Sequence, residues 1–372
     1  MKKNSTILIT GGAGFIGSHL TDRLLREGFS VRVLDNLAPP AHDGALPPWF
    51  NKKAEFVRGD VRSKKDWMRV LPGADVVVHL AAAMDFHWDF SAYVATNTMS
   101  VALLFEAIRE KKFPIKKIIA ASSQSVYGEG KYRCGRHGII YPPPRAEAQM
   151  KKHDWDVRCP RDGTVLTPLA QKEDDQTHPA IPYGASKRAA EEMLFVLGRL
   201  CNIPSVALRY TIVQGPRQSF RHFYSGALRQ LAVMAISGRA MDMHEDGRQM
   251  RDFVHIDDVT DAHMLVLKNP KADFQAFNVG SGTSVRVMEL AERVARFSGV
   301  PFRPRAPGLW RIGSPRHSLA DVSRLKKMGW RARKTIDDNV VDYVNWIREY
   351  PEAKKYLRDT LKKMKSDALM KH

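Results

Sequence analysis

The chain has 372 residues, 44% hydrophobic and 27% charged, with three cysteines and a formal net charge of +19. This is globular composition, which excludes global disorder, and the length suits one large α/β unit or a nucleotide-binding domain with a second lobe. No apolar run approaches the roughly 18–20 residues that a membrane span needs, three cysteines cannot build a disulfide framework, and no secretory leader is seen, so a cytoplasmic protein is expected.

Short β-branched or apolar runs over 7–10, 31–35, 56–59, 76–80, 118–122 and 206–209 read as buried parallel strands. Helical periodicity occupies 15–27, 92–111 and 185–200. This alternation predicts βαβ units with right-handed crossovers, hence a doubly wound parallel sheet. Residues 129–181 are rich in Pro, Gly and charge with little periodicity, and read as an insertion. Past 216 the alternation fades, as expected of a smaller C-terminal lobe. The predicted organisation is a nucleotide-binding domain over 1–215, a lobe mainly over 216–348 and a Lys-rich tail over 349–372, at most an amphipathic helix.

Residues 301–334 carry ten basic side chains against one acid, Asp321. Three readings are open: a phosphate-binding cleft, a solvated face, or a surface for a polyanion. No nucleic-acid motif accompanies the stretch and aromatics are not interleaved for base stacking, which disfavours nucleic acid.

The strand ending at Thr10 runs into Gly11-Gly12-Ala13-Gly14-Phe15-Ile16-Gly17, followed by a helix. Glycines here permit a tight turn, close approach of a pyrophosphate and close helix–strand packing, while the helix N-terminus offers N–H groups to the phosphates. Asp35 ends the next strand 18 residues past Gly17, placed to accept hydrogen bonds from an adenosine ribose. It would repel a 2′-phosphate, so the expected cofactor is NAD rather than NADP.

Tyr183 and Lys187 stand four apart at the start of a helix and share a face. A phenol of pKa about 10 is a poor base at neutral pH unless a nearby cation favours the phenolate. Ser122, Ser123 and Ser125 fall at the carboxyl end of the strand over 118–122, where open α/β sheets bind ligands, so a serine there can hydrogen-bond the oxygen that the tyrosine deprotonates. Within the insertion, Arg133-Cys134-Gly135-Arg136-His137-Gly138 and Arg158-Cys159-Pro160-Arg161-Asp162-Gly163 repeat one pattern. Cys134, His137, Cys159 and Asp162 could supply four tetrahedral ligands to a structural zinc ion; the alternative is a degenerate, metal-free pair of turns.

The sequence resembles the extended short-chain dehydrogenase/reductase family, and within it the NAD-dependent nucleotide-sugar epimerases and dehydratases. The resemblance rests on the glycine turn, Gly59-Asp60-Val61-Arg62, His79-Leu80-Ala81-Ala82, Ser122 to Gly128, Tyr183 to Lys187, Leu208-Arg209-Tyr210, Gly215-Pro216-Arg217, Arg251-Asp252-Phe253-Val254-His255 and Asn278-Val279-Gly280. Sugar-nucleotide 4-epimerases, including the dTDP-L-rhamnose type, look closest. The resemblance implies a Rossmann fold with a smaller C-terminal substrate-binding lobe, and Ser123, Tyr183 and Lys187 as the catalytic group. It implies cofactor contacts from Gly11, Gly14, Phe15, Ile16, Gly17, Asp35, Asn36, Asp60, Val61, Leu80, Ala81, Ala82 and Asn97, besides Tyr183 and Lys187. Ser125, Arg217, Arg251 and Arg311 would contact a nucleoside-diphosphate sugar. A homodimer joined through the helices over 92–111 and 183–200 is also implied.

The family's dehydratases and decarboxylases usually place an acid just after the catalytic hydroxyl, where this chain has Gln124 and Ser125. Neither side chain serves as acid or base at neutral pH, which leaves reversible oxidation and epimerisation, most simply at C4. A 4-keto-sugar reductase or a dehydratase on the same fold is the alternative, and a non-catalytic polyanion-binding module comes from a different class. Ile212, Met84 and Ser314 replace polar or charged residues of the galactose-type pattern, which points toward a less polar sugar, such as a 6-deoxyhexose.

Overall fold

The first strand, β1 (Thr6–Thr10), is apolar because both faces of it are covered, and four of its five residues are buried. In the computed structural model, which describes residues 5–84, 89–221, 226–354, 356, 370 and 371, the expected βαβ rhythm follows. The next elements are α1 (Phe15–Arg26), β2 (Ser30–Asp35), β3 (Glu55–Arg58), α2 (Lys64–Val70), β4 (Val76–His79), α3 (Phe90–Tyr93), α4 (Ser100–Lys111) and β5 (Lys117–Ser123). The insertion holds β6 (Lys131–Cys134), β7 (Gly138–Ile140), α5 (Glu147–Met150) and β8 (Thr167–Leu169), and the chain returns through α6 (Pro182–Leu200) to β9 (Ser205–Tyr210).

Seven strands form one sheet in the order β13-β9-β5-β4-β1-β2-β3, parallel at every pairing, where β13 is Gln275–Val279. The order reverses between β1 and β4, which opens a crevice at their carboxyl ends. One apolar core lies on each face, around Ile7, Ile9 and Val33 on one side and Leu8, Leu34 and Trp67 on the other. Alternate residues of β1 serve the two cores, the period-2 consequence of strand geometry.

Beyond β9 come β10 (Ile212–Gln214), α7 (Ala227–Ile236), β11 (Met241–Asp242), β12 (Met250–His255), α8 (Ile256–Lys268), β14 (Ser284–Arg286) and α9 (Val287–Ser298). Then follow β15 (Pro304–Arg305), β16 (Trp310–Arg311), α10 (Ser323–Lys327) and α11 (Ile336–Arg348). A second core around Leu228, Leu231, Leu290, Val294, Tyr343 and Ile347 packs α7, α9 and α11 beside a sheet of order β10-β12-β14.

The structure differs from or refines the sequence expectations in three places. After β12 the chain goes back to the large sheet: β13 pairs with β9, and residues of α8 join the core around Ile7. Residues past 215 therefore do not all belong to the smaller lobe. The single helix expected over 92–111 is instead α3, a wide π-type run over Val94–Met99 and α4. The π run coincides with Asn97, whose buried side chain is drawn inward to the Ala83 backbone and the Ser186 hydroxyl. The aperiodic insertion is ordered as an antiparallel sheet, β7-β6-β8, with a small core of its own. The helix expected in the tail falls mostly outside the described residues.

Two histidines are sealed inside this frame. His79 ends β4 with Nδ1 2.7 Å from the Thr10 hydroxyl and Nε2 2.9 Å from that of Ser100. His263 of α8 lies 2.6 Å from the Tyr210 hydroxyl. Burial holds both near pKa 3, with nearby Lys187 adding to the effect on His79. Their folded values lie below the ordinary value of about 6.5, so the unfolded chain takes up their protons first as pH falls. Stability is expected to decline progressively below about pH 6.5, by roughly 1.4 kcal/mol per pH unit for each histidine. Denaturant midpoints between pH 7 and pH 4.5 test this, and the slope should lessen in a His263→Gln variant.

Candidate active site

The carboxyl ends of the central strands open into a cavity of about 1010 Å³. Gly11 turns out of β1 in the left-handed region at φ +68°, and an added Cβ would meet the Ala81 nitrogen at 2.9 Å. At Gly17 a Cβ would lie 2.3 Å from the Gly11 carbonyl oxygen, so only glycine lets α1 approach the turn. α1 starts after Gly14 with no side-chain cap, leaving its N-terminal amides to an incoming anion, and Gly11, Gly14, Phe15, Ile16 and Gly17 all line the cavity.

Asp35, at the end of β2, is fixed by two backbone amides: Ala13 N donates to Oδ2 at 3.1 Å and Leu37 N to Oδ1 at 2.9 Å. Asp60 accepts two bonds from the Arg62 guanidinium and one from Asn36 Nδ2. The Arg62 bonds hold the Asp60 carboxyl down at about 2, so it stays an acceptor. Asn36, Val61, Leu80, Ala81 and Ala82 line the same end. Asn97 does not. It is buried and fully engaged by Ala83 and Ser186, a position behind the cavity wall rather than in it. The sequence reading missed His42, which is buried with Nε2 3.9 Å from Asp35 Oδ1. It sits in an aperiodic loop with no motif to flag it.

Ser123, Tyr183 and Lys187 all line the cavity beyond this end. Ser123 closes β5; its Oγ accepts from the Ser125 amide at 3.1 Å and donates to Ser125 Oγ at 3.2 Å. Tyr183 lies in the first turn of α6, its ring edge-on to Tyr93 at 6.5 Å. One turn later Lys187 Nζ donates to the Ala121 carbonyl at 2.9 Å. Burial pushes Lys187 down to about 8 while Glu191 opposes the shift, so the ammonium persists at neutral pH. Beneath them Arg209 of β9 bonds Glu191 of α6 at 2.9 and 2.7 Å, and the Ser122 hydroxyl donates to the same carboxylate. Arg209 also donates to the Tyr127 hydroxyl, which bonds Asn278 of β13.

Ser125, Arg217, Arg251 and Arg311 also line the cavity. Arg217 is oriented by Asp22 at 2.8 Å. Arg251 donates to the carbonyls of Met250, Pro315 and Arg316, and burial lowers its pKa. His244, unmarked by any sequence motif, lines the wall with them; burial first, then Arg311 and Arg251, hold it near pKa 3 and therefore neutral. Gln124 accepts a 2.5 Å bond from the Ser318 hydroxyl, which orients its amide at the cavity. Four of the ten basic side chains over 301–334 are engaged by acids: Arg305 pairs with Asp242, Arg316 with Glu245 and Asp246, Arg324 with Asp174, and Lys334 with Asp342. Arg311 is the member of the stretch on the cavity wall.

In the insertion the four predicted metal-ligating side chains converge, with ligand atoms of Cys134, His137, Cys159 and Asp162 all within 4.8 Å of one another.

The glycine turn and a Ser–Tyr–Lys group thus open on one cavity at the carboxyl ends of a Rossmann sheet. The chain belongs to the NAD dependent epimerase/dehydratase family, whose model matches residues 7–146 and 161–280. It is 31% identical over 355 residues to the dTDP-L-rhamnose 4-epimerase of Burkholderia thailandensis, covering 94% of this chain and 96% of that protein. Among solved structures it is similar to the UDP-glucuronic acid 4-epimerase of Bacillus cereus in complex with UDP-glucuronic acid and NAD, with a TM-score of 0.75, 26% identity and 92% and 99% of the two chains covered. A UDP-glucose 4-epimerase of Thermus thermophilus in complex with NAD matches with a TM-score of 0.73, 27% identity and 93% and 99% coverage.

Two outcomes follow from this geometry. Gly17→Ala is expected to empty the nucleotide end while leaving the fold, read as loss of NAD from the purified protein by absorbance after acid release. Arg209→Ala removes the buried partner of Glu191 and leaves it only the Ser122 hydroxyl and Arg188 at 3.6 Å, which costs up to about 3–5 kcal/mol. In urea melts the double variant Arg209→Met/Glu191→Leu should recover most of that loss.

Proposed function

We propose that the protein is a nucleotide-sugar 4-epimerase that runs on bound NAD. The observation that carries this reading is the convergence of Ser123, Tyr183 and Lys187 on one cavity, with Gln124 and Ser125 where a dehydratase needs an acid. NAD suits the other end: an uncapped helix N-terminus faces the phosphates, and Asp35 is set for a ribose diol and against a 2′-phosphate.

When bound, NAD accepts and returns a hydride. Tyr183 takes the proton of the sugar hydroxyl as that carbon becomes a ketone, and gives it back after the keto sugar has turned over. The Lys187 ammonium, held by the Ala121 carbonyl, favours the phenolate. The Ser123 hydroxyl, oriented by the Ser125 amide, hydrogen-bonds the same sugar oxygen in both directions. Arg251 and Arg311 hold the diphosphate, with Arg217 at the cavity's edge, and Ser125 faces the sugar. Asn97 acts as a positioning residue: it ties Ala83, on the cavity wall, to Ser186 of the catalytic helix. Apolar Met84 and Ile212, and an uncharged Ser314 where the galactose-type pattern has a carboxylate, support a 6-deoxyhexose nucleotide as substrate.

The assembly we propose is a homodimer through the two helical segments around Phe90 and Val196. Phe90, Val94, Met99, Val196 and Leu200 are each at least 42% exposed, half of the large exposed apolar side chains among the described residues. A reducing, cytoplasmic setting is supported by three free cysteines. No helix among the described residues is long and apolar enough to cross a membrane.

Incubation with a panel of UDP-, dTDP-, GDP- and CDP-sugars, without added cofactor, tests the activity. The expected result is a product of unchanged mass, with Tyr183→Phe lowering turnover by about 10²–10⁴-fold. A product lighter by water would mean that Gln124 and Ser125 had been misjudged.

A further inference from the structure

We propose that the insertion over 129–181 binds one zinc ion through Cys134, His137, Cys159 and Asp162, and that this ion is structural. This is independent of the epimerase reading, since none of the four residues lines the active-site cavity.

Two hairpins present the ligands. In the first, Cys134 pairs with Gly138, and the amides of Arg136 and His137 hydrogen-bond the Cys134 sulfur. In the second, Arg158 pairs with Val165, and the amides of Arg161 and Asp162 hydrogen-bond the Cys159 sulfur. N–H groups aimed at a ligating sulfur are the outer-shell bonds that orient it toward a metal. Gly138 and Gly163 close the turns with φ of +71° and +73°. The repeated sequence pattern is thus a repeated geometry.

The spacing fits a tetrahedral ion. His137 Nδ1 lies 3.4 Å from Cys134 Sγ, 3.5 Å from Cys159 Sγ and 3.6 Å from Asp162 Oδ2, and Cys134 Sγ lies 3.9 Å from Asp162 Oδ2. Zn–S and Zn–N/O bonds of about 2.3 and 2.0 Å at tetrahedral angles place neighbouring ligand atoms roughly 3.3–3.8 Å apart. Asp162 is prepared for the role: its Oδ1 accepts from the amide and hydroxyl of Thr164 at 3.1 and 2.7 Å, which leaves Oδ2 toward the cluster. Outer-shell bonds of this kind orient metal ligands. Both cysteines are 2% exposed, while the His137 and Asp162 side chains are partly open at 28% and 14%, so an ion has a way in.

The insertion also needs such a staple. Its own core is six side chains, of which two are the cysteines. That core is far too small to hold a segment of this length by apolar burial alone. Its links to the rest of the protein are a small apolar contact of Met150 and Trp155 with Trp310 and polar bonds: Arg145 bonds Glu245 at 2.9 and 3.1 Å, and Glu129 accepts from the Arg316 amide at 2.7 Å. Four protein ligands leave no open position, which excludes a hydrolytic role and makes the ion a cross-link between the hairpins.

The test is the metal content of the full-length protein purified without chelator. One zinc per chain is expected by elemental analysis. After chelation, Co²⁺ added to the wild type should give the visible bands of tetrahedral cobalt with a thiolate charge-transfer band. Thr164→Val keeps all four ligands and the amide bond but removes the hydroxyl bond that helps to orient Asp162, and is expected to weaken Zn²⁺ binding about 10-fold. Cys134→Ser should lose the cobalt spectrum altogether. Cys201, outside the site, serves as the control thiol: with zinc bound it alone should react rapidly. The proposal is overturned if reduced wild-type protein, natively folded by near-UV circular dichroism, takes up neither Zn²⁺ nor Co²⁺. It is equally overturned if the active protein carries a Cys134–Cys159 disulfide.

Discussion

The buried ion pair between Arg209 and Glu191 is the constraint on which the reactive end of the molecule depends. Both residues are almost without exposure, and taking two charges out of water is expensive unless their bonds are satisfied. Here the guanidinium meets the carboxylate through two nitrogens and adds the Tyr127 hydroxyl and the Glu173 carbonyl. The pair joins α6 to β9, and the Ser122 hydroxyl brings β5 onto the same carboxylate. The helix bearing Tyr183 and Lys187 and the strand ending in Ser123 are therefore referenced to one point. A catalytic group assembled from two elements gains its precision from that shared anchor rather than from its own contacts.

The cavity is lined by two kinds of group. Around the glycine turn it is built from backbone: the turn itself, free helix amides and a carboxylate locked by amides, all set by β1, β2 and α1. Elsewhere its wall carries long side chains, among them Arg217, Arg251 and Arg311, and neutral His244. A neutral imidazole beside two guanidiniums can accept a hydrogen bond without adding to their repulsion. Backbone recognition suits a cofactor that is common to a family. Side-chain recognition suits a substrate that differs between its members.

Legibility followed the same division. The strands of the large sheet, the glycine turn, Asp35, Asp60 and the Ser–Tyr–Lys group were readable because each is bound to a local requirement: a buried strand, a turn only glycine can make, two residues one helical turn apart. Asn97 was expected at the cofactor from the family resemblance; its partners, Ala83 and Ser186, are set by tertiary packing, which no local pattern announces. β13 was not read as a strand because its pairing partner lies 69 residues earlier, as Gln275 faces Val206 in the ladder. His42 and His244 lie where no periodicity guides the eye. The knuckle repeat could be read as a pattern, but the convergence of its halves depends on how two hairpins dock.

The manner in which Asp35 is held has a consequence for how this protein could change cofactor. In a simpler site the carboxylate would be a free-standing gatekeeper, and a single replacement by a small neutral residue would admit a 2′-phosphate. Here Asp35 also receives the amides of Ala13 and Leu37, and Leu37 occupies the left-handed region at φ 54°. Removing the carboxylate would orphan two buried donors and release both the phosphate-binding turn and the strained start of the following loop. If Asp35 sets the coenzyme preference as proposed, that preference is welded to the shape of the turn itself, and an evolutionary path to NADP would have to rebuild both together.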